Sequence, residues 1–237
     1  MRVVAIAAFL FAVTGVHIVA QEANVSPGSF YYPARAETWS VKPMFDMVFA
    51  RVPYDVVEEN QTFRWPLFSL RGLVTLPEHF AVQADISTNI VNFNFLLGPK
   101  WQYQVSDRIA TFVGADVSFF TGRLNAGQID QSAQGWFAAP TASIGYAFDN
   151  FTVTVKGELN YLLNLATRTG NVETDRSQNS YNGWCLALFV EQPLWKDNYV
   201  TFGVRMNHIK FYYQTWLLAP TFDKFYYVPE AVLGIRL

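Results

Sequence analysis

The sequence predicts an all-β protein: a single up-and-down antiparallel transmembrane β-barrel of about ten strands, with eight as the alternative, preceded by a signal peptide. Three observations point there. Apolar and polar residues alternate along most of the chain, and the polar stretches between alternating segments are long and short by turns. Charged residues make up only 15% of the 237-residue chain while aromatics reach 17%. Side chains on a strand point to opposite faces with period two, so alternation means one apolar and one polar face. Soluble proteins carry roughly 25% charged residues. A secreted sandwich, the competing all-β solution, would need that charge to coat its exterior. A barrel in lipid does not.

The N-terminus reads as an export signal over 1–20. Arg2 supplies the positive start, Val3 to Val16 is apolar, and cleavage fits after Ala20, although Ile18 is bulky for that site. A membrane-anchoring helix is the alternative for this stretch. Past Ala20 no apolar run reaches the roughly eighteen residues a spanning helix needs. Residues 21–38 hold Pro27, Gly28 and Pro33 without alternation, an irregular periplasmic lead. The barrel is expected over 39–237.

The first strand is expected over 39–51, with Trp39, Val41, Phe45, Met47 and Phe49 opposite Lys42 and Asp46. An acidic loop at 52–62 leads to a second strand over 63–76, where Leu70 and Val74 oppose Ser69, Arg71 and Thr75. After a turn at Pro77–His79, a third strand spans 80–90, with Val82, Ala84 and Ile86 against Gln83 and Asp85. The apolar parity switches near Val91, so a short loop separates it from a fourth strand over 92–104, where Phe93, Phe95, Leu97, Trp101 and Tyr103 face away from Lys100 and Gln102. The fifth strand (109–120) sets Val113, Ala115 and Val117 against Asp116. A polar loop at 122–134 precedes the sixth (136–148). Asp149-Asn150 makes a hairpin turn into the seventh (151–164), where Val153, Val155, Leu159 and Tyr161 oppose Lys156 and Glu158. The longest polar loop, 166–182, precedes the eighth (183–195), with Trp184, Leu186 and Leu188 against Cys185 and Glu191. The ninth is expected over 199–215, with Arg205 on the polar face, and an aromatic-rich loop over 216–225 follows it. The tenth sets Tyr227, Ala231, Leu233, Ile235 and Leu237 against Glu230 and Arg236. An even count returns the C-terminus to the side of the short turns, the periplasmic side.

Two aromatic girdles are expected at the membrane interfaces. Trp39, Phe80, Tyr103, Phe148, Phe151 and Tyr199 mark the turn ends; Trp65, Trp136, Tyr161, Trp184 and Phe211-Tyr212-Tyr213 mark the loop ends. The face turned from lipid carries Lys42, Arg71, Lys100, Lys156, Arg205 and Arg236 with Asp46, Asp85, Asp116, Glu158, Glu191 and Glu230. In a lumen this narrow, such long charged side chains are expected to pair and fill it. A simple polar lining is the plainer alternative.

Several functional classes are disfavoured. A net charge of −2 offers no basic surface for nucleic acid. The single cysteine excludes a disulfide framework, and neither metal-ligand spacing nor a glycine-rich phosphate loop occurs, so no cofactor is expected. Of the three histidines, His17 lies in the signal and His79 in a turn; only His208 approaches the outer rim, with no serine at short spacing. An enzyme is not expected.

Three segments carry a family likeness. Phe95–Tyr103, Phe112–Val117 and Val232–Leu237 resemble strands of the small bacterial outer-membrane barrels of the opacity, OmpX and OmpW type. The resemblance implies residence in the bacterial outer membrane, contact with its lipid, and a C-terminal strand read by the barrel-assembly machinery. Two roles follow as expectations. One is a structural, adhesive or ligand-binding surface protein acting through loops 122–134 and 166–182. The other is a narrow channel for small or hydrophobic molecules, as OmpW-like barrels imply, with an apolar mouth of Trp216, Leu217, Leu218, Phe222 and Phe225.

Overall fold

A computed structural model describes residues 28–34, 36–51, 66–127, 129–170, 172–195, 198–216 and 224–237. The expected signal, the acidic loop at 52–62 and Trp65 lie outside them. Ten strands form one closed antiparallel barrel: β1 (Val41–Ala50), β2 (Pro66–Thr75), β3 (Phe80–Thr88), β4 (Asn92–Gln104), β5 (Ile109–Ala126), β6 (Ile129–Ala147), β7 (Thr152–Thr169), β8 (Val172–Pro193), β9 (Tyr199–Ile209) and β10 (Tyr226–Arg236). Each strand pairs with its sequence neighbours, and β1 closes the ring on β10 through Met44↔Arg236 to Ala50↔Glu230. Closure leaves no free edge along the spanning wall, which lipid requires because it cannot satisfy backbone N–H and C=O groups.

The expected parity places the side chains. Phe45, Leu70, Phe95, Trp101, Val113, Ile144, Val155, Leu188, Val204 and Leu233 all stand exposed on the outer surface. Their strand neighbours Asp46, Arg71, Lys100, Asp116, Ser143, Lys156, Glu191 and Arg205 point inward. An exposed surface this apolar fits a hydrocarbon solvent and not water. The parity switch between β3 and β4 falls at Ile90, which takes a positive φ of 81°.

Three elements differ from expectation. The stretches 122–134 and 166–182 are hairpins continuing β5–β6 and β7–β8, turning at Gly127 and Gly170, whose φ values are positive. Their polar sequence hid them, because strands above the bilayer have water on a face and need no apolar alternation. β9 stops at Ile209 instead of 215. Tyr199, expected on the girdle, shares the parity of Thr201 and is buried inside.

Candidate functional site

The barrel interior collects the charged residues. Arg71 ion-pairs with Asp46 and lies 3.4 Å from Asp85, which also accepts a 2.9 Å hydrogen bond from Gln83. Lys100 pairs with Asp116, both almost fully buried. Lys156 meets Glu158 at 2.6 Å; Arg205 spans Glu158 at 3.5 Å and Glu230 at 3.1 Å. The Lys100 and Lys156 ammonium groups also lie over the inward ring of Phe112, at 5.3 and 6.0 Å. Cys185 is buried on the same inner face. Burying charge is costly unless it is paired, so these contacts hold the interior charges in place.

Lys42, Glu191 and Arg236 turn to a different partner. Residues 28–34, part of the segment expected as a periplasmic lead, pack inside the end of the barrel that carries the short turns. The Glu191 carboxylate accepts three successive backbone N–H bonds, from Phe30 at 2.7 Å, Tyr31 at 3.0 Å and Tyr32 at 2.9 Å. Lys42 donates to the Ser29 carbonyl at 2.9 Å, and Arg236 to that of Gly28. The Tyr31 ring stacks on Phe189, with centroids 3.6 Å apart, and Arg71 approaches its face. Phe30 and Tyr31 thereby join a buried cluster with Met44, Val48, Leu73, Phe189 and Val232. Gly145 permits the approach: a Cβ there would lie 2.6 Å from the Tyr32 ring and 2.9 Å from Pro33.

A second segment enters from the other end. Beyond β9 the chain turns inward, and Asn182 fixes the turn by exchanging two hydrogen bonds with the Phe211 backbone, at 2.7 and 3.1 Å. Phe211 and Trp216 pack with Phe120, Leu162 and Leu165. The Tyr212 hydroxyl donates to Glu230 at 2.6 Å, and Asn92 donates to the Tyr213 carbonyl. The Phe211-Tyr212-Tyr213 run, expected at the lipid interface, is therefore inside. A Cβ on Gly122 would come within 2.5 Å of Trp216, so glycine gives this ring its seat. Tyr213 packs against the clusters at both ends. A cavity lined by Tyr31, Gln83, Lys100, Gln102, Phe112 and Lys156 holds about 20 Å³, room for one water molecule.

Of the residues expected as an apolar mouth, the two that are described do not meet. Trp216 is buried in the lumen, whereas Phe225 lies against the outward-facing rings of His208 and Tyr181. Leu217, Leu218 and Phe222 lie outside the described residues. His208 faces outward among Trp184, Phe225 and Tyr227. The inserted segments were not read from the sequence as lumen fillers. Their dense aromatics without alternation were the available signal.

Closure, an apolar outer belt, and a charged inner face define the class: this is a closed transmembrane β-barrel of the outer-membrane type. No protein-family model matches the chain, and no curated protein matches it. Among solved structures it is similar to Neisserial surface protein A (NspA), at 14% identity over 83% of this chain and 96% of that one, TM-score 0.38. It is also similar to the translocator domain of autotransporter NalP from Neisseria meningitidis, at 10% identity over 83% and 87%, TM-score 0.44. A third likeness is the KdgM porin, at 10% identity over 81% and 97%, TM-score 0.38. None reaches 0.5, so the class rests on this barrel's own closure and belt.

Proposed function

We propose that this protein is a non-enzymatic surface barrel with a closed lumen, which presents the four-stranded sheet of β5 to β8 above the membrane for adhesion or ligand binding. Its strands are those of an opacity-, OmpX- or OmpW-like barrel carrying ten strands in place of the eight typical of those families. The observation that carries closure is Glu191, whose carboxylate holds three consecutive N–H groups of a segment lying across the periplasmic end. Successive N–H groups make a concavity suited to an anion, and a carboxylate bonded this way forms charge-assisted contacts. The inward turn at 210–216 and the paired charges between support the same reading.

Surface presentation is favoured by strand length. β6 has 19 residues and β8 has 22, whereas about ten span a bilayer. The β4 pairing of β5 ends at Gly122, and the β9 pairing of β8 ends at Gly183. The two hairpins therefore rise beyond the barrel rim as one sheet, a rigid platform for recognition.

The test is conductance in planar bilayers, paired with adhesion assays. The full chain is expected to be silent, and a variant with both hairpins trimmed to the rim should lose surface binding without gaining conductance. Stable single-channel currents from the full chain would return the narrow-channel reading.

A further inference from the structure

The outer rim from β7 through β10 to β1 carries a group of side chains that the lumen does not explain. They face lipid, at the end away from the termini. His208 lies opposite Tyr227 on β10 and opposite Trp184 on β8. Its ring centroid is 4.4 Å from Tyr227, 5.2 Å from Phe225 and 5.5 Å from Trp184. Phe225 continues the group to Tyr181, and Tyr181 to Tyr161, at 5.9 and 5.5 Å. Lys210 sits above, its ammonium 5.1 Å from the Phe225 ring, and it is exposed. On the other side of β10, Arg51 donates its backbone N–H to the Pro229 carbonyl. It continues the outward parity of Phe45 and Phe49, and its side chain is exposed.

Aromatic rings at this depth are ordinary for a barrel. Two cations on the same lipid-facing arc are less so, because an outward charge is costly in hydrocarbon and becomes tolerable only near the interface. Among the described residues the outward positions of β1, β7, β8, β9 and β10 in this arc include no carboxylate. The surface therefore combines a flat aromatic wall with positive charge at headgroup level, and its charge complements an anionic group. Lipid is what already covers this face.

We propose that this arc is a binding site for a phosphate-bearing lipid of the outer leaflet, with Lys210 and Arg51 meeting its phosphate and the ring cluster packing against the body of the lipid. The proposal needs the barrel in its membrane but not the closed lumen, so it stands or falls separately from the proposed function.

The test uses the full-length protein in detergent, titrated with diphosphoryl lipid A, with the same lipid dephosphorylated, and with inorganic phosphate, reading tryptophan fluorescence and native mass spectra. The phosphorylated lipid is expected to bind preferentially. Lys210→Ala and Arg51→Ala are each expected to reduce that preference about fivefold, the worth of one basic residue near an anionic surface. Lys210→Arg should retain it. Binding of the dephosphorylated lipid should be unchanged in the alanine variants, which shows that they fold. Equal affinity for the two lipids, a preference that survives the double alanine variant, or an equal response to inorganic phosphate alone would overturn the assignment.

Discussion

Lys100 and Asp116 face each other inside the wall, both almost without solvent exposure. Removing one partner strands the other as an uncompensated charge, at a cost of about 3–5 kcal/mol. Lys100→Ala should therefore lower the urea midpoint of the refolded barrel strongly. Lys100→Met combined with Asp116→Leu should recover most of that loss, because an apolar pair of similar volume has no charge to strand. If the double variant is no better than the single, the pair is not acting through its charge. At Gly145 the issue is space: Gly145→Ala would press a methyl group into Tyr32 and Pro33. Overpacking costs about 1–3 kcal/mol, and here the yielding part is the inserted segment. Limited proteolysis should then cut near residues 28–34 faster than in the parent, with the wall intact. The charges at 100 and 116 were legible because strand parity alone puts them inside. The glycine's role was not, because its neighbour in space lies more than a hundred positions away in the chain.

Between elements, the hairpins β5–β6 and β7–β8 show where alternation stops being informative. Within the bilayer one face meets hydrocarbon, so each strand announces itself by parity. Above it both faces can be polar, and Gln131, Thr169 or Gln178 give no such mark, although the backbone ladder runs on to Ala126↔Ile129 and Thr169↔Val172. A short peptide tag inserted after Gly127 or after Gly170 should be labelled on intact cells. The same tag in the turn at Ser106–Arg108 should be labelled only after the outer membrane is opened. Labelling in the reverse sense would invert the orientation. The end of β9 teaches a related lesson. Phe211, Tyr212 and Tyr213 carry the composition of a membrane girdle, and composition does not tell the two sides of a barrel wall apart. Asn182 decides the side, by bonding the Phe211 backbone from β8.

As a whole, the barrel is filled from both ends, with Tyr213 touching both buried clusters. A chain lacking residues 21–34 is expected to assemble still, because the ladder from β1 to β10 is complete without them, and to migrate as a folded barrel in unheated SDS. The outer segment should keep it nearly silent in planar bilayers. Combining that truncation with Phe211→Ala and Trp216→Ala should give conductance, whereas silence from the combined variant would mean that the paired charges alone suffice to close the lumen.

The barrel class, a strand number of about ten and the lipid-facing set of the spanning strands apart from Tyr199 were determined by the sequence, because a hydrocarbon solvent imposes a two-residue period on every spanning strand and the period survives without any knowledge of neighbours. What occupies the lumen was decided only by the tertiary structure. Residues 28–34 and 210–216 have no period to read, and their positions depend on partners far along the chain, such as Glu191, 161 residues from the Phe30 N–H it receives. Those partners come within reach only once the ring has closed.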